Sequence, residues 1–189
     1  MTWEFLIKRE EYHAQELVFV DECGINLGMT RQVGYAPVGE RLFAPKPGRY
    51  MKNLTVLGAL RLEGLRELMV VEGGTTVEVF AEFAARVLIP SLEPGMVVVL
   101  DNLSTHRSQR VVELFGDHSI HLLFTPPYSP EWNPIEWAWS KVKSHLRQAA
   151  ARAIDTLEDA LVTAADLISP LQARNMILGC GYRMPTGSP

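Results

Sequence analysis

Residues 125–139 read TPPYSPEWNPIEWAW, which joins a rigid loop to the start of a helix. Three prolines stiffen the loop, because the proline ring restricts its own φ and the conformation of the preceding residue. Pro134 suits the first turn of a helix, where its missing N–H has no consequence. The stretch therefore predicts that the carboxylate of Glu136 arrives, already oriented, in the first helical turn.

Two further acids follow apolar runs that are typical of strands. Asp21 follows residues 17–20 (LVFV), and Asp101 follows residues 96–100 (MVVVL). Three carboxylates without a Cys or His ligand cluster are hard oxygen donors, which suit Mg²⁺ or Mn²⁺. Two such ions held roughly 3.5–4 Å apart serve phosphodiester cleavage. The three acids therefore suggest one metal site at the ends of several elements.

Each acid also has a simpler explanation on its own. Asp21 can end a strand, and Asp101 with Asn102 can form a turn that caps the next helix. Asn133 and Glu136 have the spacing of a capping box, in which Glu136 returns to the backbone N–H of Asn133. These alternatives stay open for each acid alone, whereas their shared placement where elements begin or stop favours a metal site.

The same motifs resemble those of a known family. They are Asp21-Glu22, Asp101-Asn102 with His106, Pro127-Tyr128-Ser129-Pro130 and Asn133-Pro134-Ile135-Glu136. From about residue 17 to Tyr182, the chain resembles the DDE transposases of the mariner-like superfamily, specifically the bacterial insertion-sequence branch. The resemblance implies an α/β fold of the ribonuclease H-like type, with a mixed sheet flanked by helices.

The resemblance also implies roles for particular residues. Asp21, Asp101 and Glu136 are expected to be catalytic and to hold two Mg²⁺ or Mn²⁺ ions. The residues expected to support these ligands are Glu22, Asn102 and His106. The activity implied is cleavage of DNA at insertion-sequence ends, followed by transfer of the freed 3′-hydroxyl to target DNA. The alternatives are a metal-dependent nuclease on the same fold and a non-catalytic DNA-binding or assembly relic of a transposase.

The resemblance further implies partners and a location. The partners are double-stranded DNA, both as terminal inverted repeats and as target, and further copies of the chain in an oligomer on DNA. The family recognises its repeats through an N-terminal helix-turn-helix region, and none is evident before residue 17. This fits a second-reading-frame product whose DNA-binding half is encoded separately and joined by frameshifting, or a truncated remnant. No apolar run approaches the ~18 residues of a membrane span, which favours a bacterial cytoplasmic protein, associated with the nucleoid when bound to DNA.

The formal net charge of −4 does not favour DNA binding, but cations cluster locally. One cluster lies within residues 31–52 and the other within residues 137–152. The residues predicted to contact DNA are Arg31, Arg41, Lys46, Arg49, Lys52, Lys141, Lys143 and Arg147. Ordinary solvated faces are the alternative explanation for such charge runs.

The 189 residues, 47% of them hydrophobic, are sufficient for one domain with a substantial core. We expect a connector over residues 1–16, the catalytic domain over residues 17–182 and a disordered tail over residues 183–189. Strands are predicted at residues 17–21, 28–35, 53–62, 66–72, 96–100 and 120–124. Helices are predicted around residues 80–88, at 105–115, from 133, at 155–168 and from 170. Two cysteines without metal-site or framework spacing indicate free thiols.

Overall fold

A five-stranded mixed sheet with helices on both faces forms the fold, and a computed structural model describes residues 2–43, 47–48 and 52–184. The strands are β1 (Leu17–Asn26), β2 (Asn53–Arg61), β3 (Gly64–Glu72), β4 (Val97–Leu100) and β5 (His121–Phe124). The helices are α1 (Thr2–Arg9), α2 (Val77–Phe83), α3 (Gln109–Asp117), α4 (Ile135–Ala149), α5 (Ile154–Asp166) and α6 (Pro170–Gly179). The strand order is β3-β2-β1-β4-β5.

The central strand β1 has different partners on its two sides. It pairs antiparallel with β2 along most of its length, and β2 pairs antiparallel with β3. On its other side it pairs in parallel with β4, but only from Leu17 to Phe19. β4 in turn pairs in parallel with β5. The second half of β1 therefore extends past the end of β4, and the candidate site lies beside this overhang.

The two faces of β1 belong to two separate cores, because successive strand residues point to opposite sides of a sheet. Phe19 and Cys23 pack in the core that includes α4, α5 and α6. Val18 and Val20 pack in the other core, with α2 and α3. All four residues of β4 are buried, as expected for a central strand covered on both faces. By this alternation, Asp21 lies on the α4 side of the sheet.

Helix α1 packs on the core beside the loop that precedes α4. Phe5 is buried, and its ring stacks on Trp132 with the ring centroids 5.2 Å apart. Arg9 donates from Nη1 to the backbone carbonyl of Cys180 at 3.2 Å. Tyr182 donates its hydroxyl to the carbonyl of Trp132 at 2.7 Å. Contacts from both ends of the chain thus hold the loop that leads into α4.

Two predicted strand assignments are wrong. β1 does not stop at residue 21 but runs to residue 26, because Cys23 continues its buried alternation and β2 continues its pairing. Residues 28–35 form no strand. Val33 within them is 85% exposed, and no strand of the described chain pairs with this segment. The strand was predicted from apolar residues such as Val33, but they have no partner strand and remain exposed.

Two helices begin later than predicted. α3 begins at Gln109 rather than at residue 105, because residues 104–107 form a turn that places His106 in the interior. α4 begins at Ile135, after a 3₁₀ turn over Pro130–Trp132. The strands predicted after residue 52 and the helices predicted from residues 80, 155 and 170 are all present.

The described part of the chain contains no helix that is long and apolar enough to cross a membrane. Cys23 and Cys180 are both buried and both free. Of the tail predicted to be disordered, residues 185–189 lie outside the described residues. The segment expected to be a connector contains α1.

Candidate active site

Asp21, Asp101 and Glu136 line one cavity of about 340 Å³. The register explains how the first two acids meet: Phe19 is level with Val99 in the parallel β1–β4 pair, so the acids two residues further on lie at corresponding positions. Glu136 is the second residue of α4, and α4 packs against β1. Three carboxylates that are far apart in the sequence thus face the same cavity.

Asp21 does not end a strand, contrary to the prediction, because β1 continues beside β2 beyond it. In that antiparallel pair, Asp21 lies opposite Gly58 of β2. The strand that ends at this level is β4, whose last residue is Leu100. The end of β4 leaves the other side of β1 uncovered, and the half-buried Asp21 lines the cavity there.

The charges that act on Asp21 from the described residues are all negative. Burial, reinforced by the negative charge of Glu136, raises the pKa of Asp21 to about 8. The charges of Glu22 and Asp101 act in the same direction, whereas a backbone hydrogen bond from Glu22 opposes them. Like charges around a shared cavity disfavour the ionised form, and a bound cation reverses that effect.

Asp101 is oriented by a buried histidine. His106, with no exposed surface, lies with Nδ1 2.6 Å from Oδ1 of Asp101 and with Nε2 3.0 Å from Oε1 of Glu22. The backbone N–H of Leu103 also donates to Oδ1 of Asp101, at 3.2 Å. Both contacts use the same carboxylate oxygen of Asp101. The second oxygen is therefore left for a ligand in the cavity.

His106 lies between two carboxylates, Asp101 after β4 and Glu22 in β1, and it carries a positive charge there. Burial lowers the pKa of His106, but the hydrogen bonds and charges of Asp101 and Glu22 outweigh that effect and raise it to about 9. The imidazole is therefore protonated near neutral pH and can donate from both ring nitrogens. Glu22 follows Asp21 in β1 and points to the opposite face, so it holds the histidine and does not line the cavity.

The capping box that competes with metal binding at Glu136 is not formed. Pro134 occupies the N-cap position of α4, and no side chain in the described part of the chain caps that end. Asn133 contributes only its backbone carbonyl, which accepts from the N–H of Glu136 at 3.2 Å. The side chain of Asn133 is 4% exposed, and its Oδ1 has no partner among the described residues. The exposed Glu136 carboxylate is thus not needed to hold the helix.

The remaining cavity wall comes from the loop after β5 and from the residues after Asp101. Asn102 lines the cavity and accepts from Nη1 of Arg107 at 3.2 Å. Tyr128 lies at the opposite wall with a φ of 56°, and its ring is fully exposed. The proline-rich loop therefore holds an aromatic side chain at the mouth of the cavity.

Three of the predicted DNA-contacting cations meet in one groove. Arg31 and Arg147 line two adjoining cavities between the end of β1 and α4, and Lys143 lines one of them. Among the described residues, none that lines either cavity is acidic. Lys143 also lies beside Cys23, whose thiol pKa burial raises to about 11 while the ammonium opposes the rise. The groove lies beside the carboxylates along both elements, because Lys143 follows Glu136 by about two turns of α4 and Gly24 follows Asp21 by three residues in β1.

The other predicted DNA contacts that the structure describes, Arg41, Lys52 and Lys141, do not line this groove. Lys52 forms an ion pair with Glu72 at 2.7 Å, and Arg41 lies over the ring of Phe43 in the exposed loop. Lys141 is exposed on α4. The predicted contacts Lys46 and Arg49 lie outside the described residues.

Arg152 belongs to the same charge cluster in the sequence but has a different use. Its Nη1 donates to the backbone carbonyls of Leu27, Met29 and Ala151 at 3.0, 3.1 and 2.9 Å. These bonds tie the end of β1 to the turn after α4. Arg152 thus holds the backbone at Met29, which lines the basic groove, a role that the sequence alone does not reveal.

The residues at the cavity fit a hard divalent cation. They supply only oxygen ligands, and the raised pKa of Asp21 reflects negative charge that a cation would neutralise. Within the described ranges, no three His, Cys, Asp or Glu side chains are already gathered as a metal-binding cluster.

Comparison with solved structures identifies the fold. The Mos1 strand transfer complex matches with a TM-score of 0.75 and 16% identity over 95% of this chain and 56% of that chain. The Mos1 mariner paired-end complex with Mn matches with a TM-score of 0.73 and 15% identity over 95% and 57% of the two chains. The Mos1 catalytic domain with raltegravir and Mg matches with a TM-score of 0.64 and 13% identity over 97% and 93%. The predicted ribonuclease H-like fold is thereby confirmed.

Comparison of sequences identifies the family. No curated protein sequence matches the chain. The family described as DDE superfamily endonuclease matches residues 16–158, a segment that includes all three cavity carboxylates. The chain spans about half the length of the full Mos1 chains that it matches. On the strength of the family match, the chain belongs to the DDE superfamily endonucleases.

Proposed function

We propose that the chain is the catalytic domain of a transposase, which cleaves DNA at the ends of an insertion sequence and transfers the freed 3′-hydroxyl to target DNA. The observation that carries the proposal is that Asp21, Asp101 and Glu136 line one cavity beside a basic groove. Membership of the endonuclease family supports the cleavage step. The fold that it shares with Mos1 in its strand transfer complex supports the transfer step.

The cofactor that we propose is a pair of Mg²⁺ or Mn²⁺ ions held by the three carboxylates. Mos1 has been solved with each of these metals. When bound, such ions lower the pKa of the attacking hydroxyl or water and stabilise the leaving oxygen. The donor set, the shared cavity and the charge repulsion at Asp21 all fit this assignment.

The side chains around the cavity have separate tasks in this proposal. His106 holds one oxygen of Asp101 and presents the other to the cavity, and Glu22 keeps the imidazole in place from the far side. Asn102, steadied by Arg107, lines the wall where a phosphate oxygen would lie. The stiff loop before α4 holds Glu136 at the opposite wall. These residues orient ligands before the substrate arrives, which lowers the cost of reaching the transition state.

The basic groove is proposed to bind the DNA backbone. Arg31, Lys143 and Arg147 come from two parts of the chain, and the described residues that line this surface with them include no acid. Phosphate contacts of this kind position a duplex without reading its sequence. The groove adjoins the carboxylates, so a strand bound there is directed into the cavity. Arg41, Lys46, Arg49, Lys52 and Lys141 remain predicted contacts.

The finer aspects of the proposal concern partners and setting. The Mos1 structures are paired-end and strand transfer complexes, and we propose that this chain likewise acts as an oligomer on terminal inverted repeats and target DNA. A helix-turn-helix half, encoded separately, would select the repeats. The proposed source is a bacterial insertion sequence, with the protein in the cytoplasm and on the nucleoid.

The test is cleavage and joining of a duplex that carries the ends of the encoding element, in Mg²⁺ and in Mn²⁺, with the DNA-binding half added. Glu136→Gln is expected to lower both rates by at least about 10³-fold, a loss of roughly 4 kcal/mol of transition-state stabilisation. Glu131→Gln is the matched control, because Glu131 is exposed in the same loop and does not line the cavity. Equal activity of the Glu136→Gln variant and the wild type would refute the assignment. Cleavage without joining would identify a nuclease.

A further inference from the structure

Gly58 on β2 lies directly opposite Asp21, and an aromatic ring occupies the space above it. A Cβ added to Gly58 would lie 2.8 Å from Cη2 and 3.3 Å from Cζ2 of Trp139. It would also lie 2.8 Å from Cδ2 of Leu68, the flexible end of a side chain. Cross-strand neighbours share one face of a sheet. The indole ring therefore rests on the sheet next to the catalytic Asp21.

Trp139 connects this contact to a second carboxylate. It lies three residues after Glu136, so the two side chains are neighbours along one face of α4. Trp139 is 2% exposed, and α4 contacts both β1 and β2. The indole ring is rigid, and the backbone of Gly58 stops it. The distance between the first turn of α4 and β1 therefore depends on how closely the indole ring of Trp139 packs against the backbone of Gly58.

We propose that Gly58 and Trp139 are a positioning pair that sets the separation of the Asp21 and Glu136 carboxylates, and thereby the geometry in which they bind a divalent cation. This inference rests on the metal site of the proposed function. Neither residue lines the cavity, so each acts only through the acid beside it.

Both residues are locally unfavourable choices at this contact. A glycine inside a strand weakens it, because the residue has a large entropy to lose and no side chain to pack. The indole Nε1–H of Trp139 is buried without a partner in the described chain, although buried donors are normally satisfied. Phe or Leu would fill a core position without that unpaired group. The large indole ring of Trp139 fits the space left by the missing side chain of Gly58, and this fit accounts for both residues.

The experiment measures the affinity of the full chain for Mn²⁺ by electron paramagnetic resonance, without DNA. Gly58→Ala is expected to weaken binding roughly 10- to 100-fold, the effect typical of losing a residue that orients metal ligands. Trp139→Phe removes the two ring atoms that face Gly58. Alone, it is expected to weaken binding by letting α4 shift. Combined with Gly58→Ala, it is expected to restore most of the lost affinity, because the added methyl group then has room.

Gly64→Ala is the control for simple loss of stability. Gly64 begins β3 and pairs with Arg61, at the end of β2 that is remote from the overhang. It has a φ of +117°, and a Cβ there would lie 2.6 Å from the carbonyl oxygen of Ile168. This variant is expected to melt at a lower temperature and still bind Mn²⁺ like the wild type. The proposal is overturned if Gly58→Ala binds like the wild type, or if Gly64→Ala loses as much affinity at an equal loss of melting temperature.

Three further outcomes are decisive. If Gly58→Ala does not fold, unchanged affinity in Trp139→Phe overturns the positioning role. If the wild type itself does not bind Mn²⁺, the proposed metal site fails and the positioning pair fails with it. If every variant at Gly58 and Trp139 binds Mn²⁺ as tightly as the wild type, the positioning role is refuted and the proposed metal site stands.

Discussion

Replacing His106 by Gln should remove a large, pH-dependent part of the folding stability. The buried imidazole lies 2.6 Å from Asp101 and 3.0 Å from Glu22, and its pKa rises from 6.5 to about 9. A raised pKa means that the folded state binds the proton more tightly than the unfolded state. The stabilisation is therefore fully present below about pH 6.5 and is lost as the pH rises through about 9. Its size is about 3 kcal/mol.

The assay is urea unfolding of the wild type and of His106→Gln, in EDTA, at pH 6 and at pH 9.5. The difference in unfolding free energy between the two proteins should be about 3 kcal/mol larger at pH 6 than at pH 9.5. The substitution also changes packing, but that contribution is the same at both pH values and cancels. His121→Gln, at an exposed position on β5, should show no such change. An equal difference at both pH values would refute a cationic His106.

Three more predictions follow from the charges at the site. Asp21→Asn should raise the melting temperature in EDTA, and more at pH 9 than at pH 6. The reason is that the pKa of Asp21 in the folded state is about 8, so the wild type loses folding stability as the pH rises through that value, whereas the amide does not ionise. An equal effect at both pH values would contradict the raised pKa. Saturating Mg²⁺, at about 100 times its Kd, should stabilise the wild type by roughly 2.7 kcal/mol in thermal melts and leave Glu136→Gln unchanged; an equal shift in both would place the ion elsewhere. Arg147→Ala should lower the magnitude of the slope of log affinity for duplex DNA against log salt concentration by about 1. Arg86→Ala is the control and should leave the slope unchanged, because Arg86 is ion-paired with Glu82 on the other face of the sheet. Equal slopes for the two variants would show that the groove does not contact DNA.

Strand β4 and the presence of α4 after the proline-rich loop were predictable because their signals are local. An uninterrupted apolar run is typical of a strand buried on both faces, and prolines with a following acid mark the start of a helix. The length of β1 was not predictable in this way. Asp21 and Glu22 interrupt its apolar run, yet pairing with β2 carries the strand on through Cys23. Polar residues at a functional site therefore concealed the continuation of the strand.

The hydrogen bonds around Asp101 could not be predicted from the spacing of residues in the sequence. His106 meets Asp101 within one turn, but its second partner, Glu22, is 84 residues away in the sequence. The capping box at Glu136 is the opposite case, because the local pattern was present and the structure does not use it. Pro134 takes the cap position, and the carboxylate remains available to the cavity.

The most direct test of the central claim is the position of Mn²⁺ in crystals of the wild-type chain, located by its anomalous scattering. The account predicts anomalous peaks in the cavity, with Asp21, Asp101 and Glu136 supplying the oxygen ligands. Peaks that appear only elsewhere, or an empty cavity at saturating Mn²⁺, would contradict it.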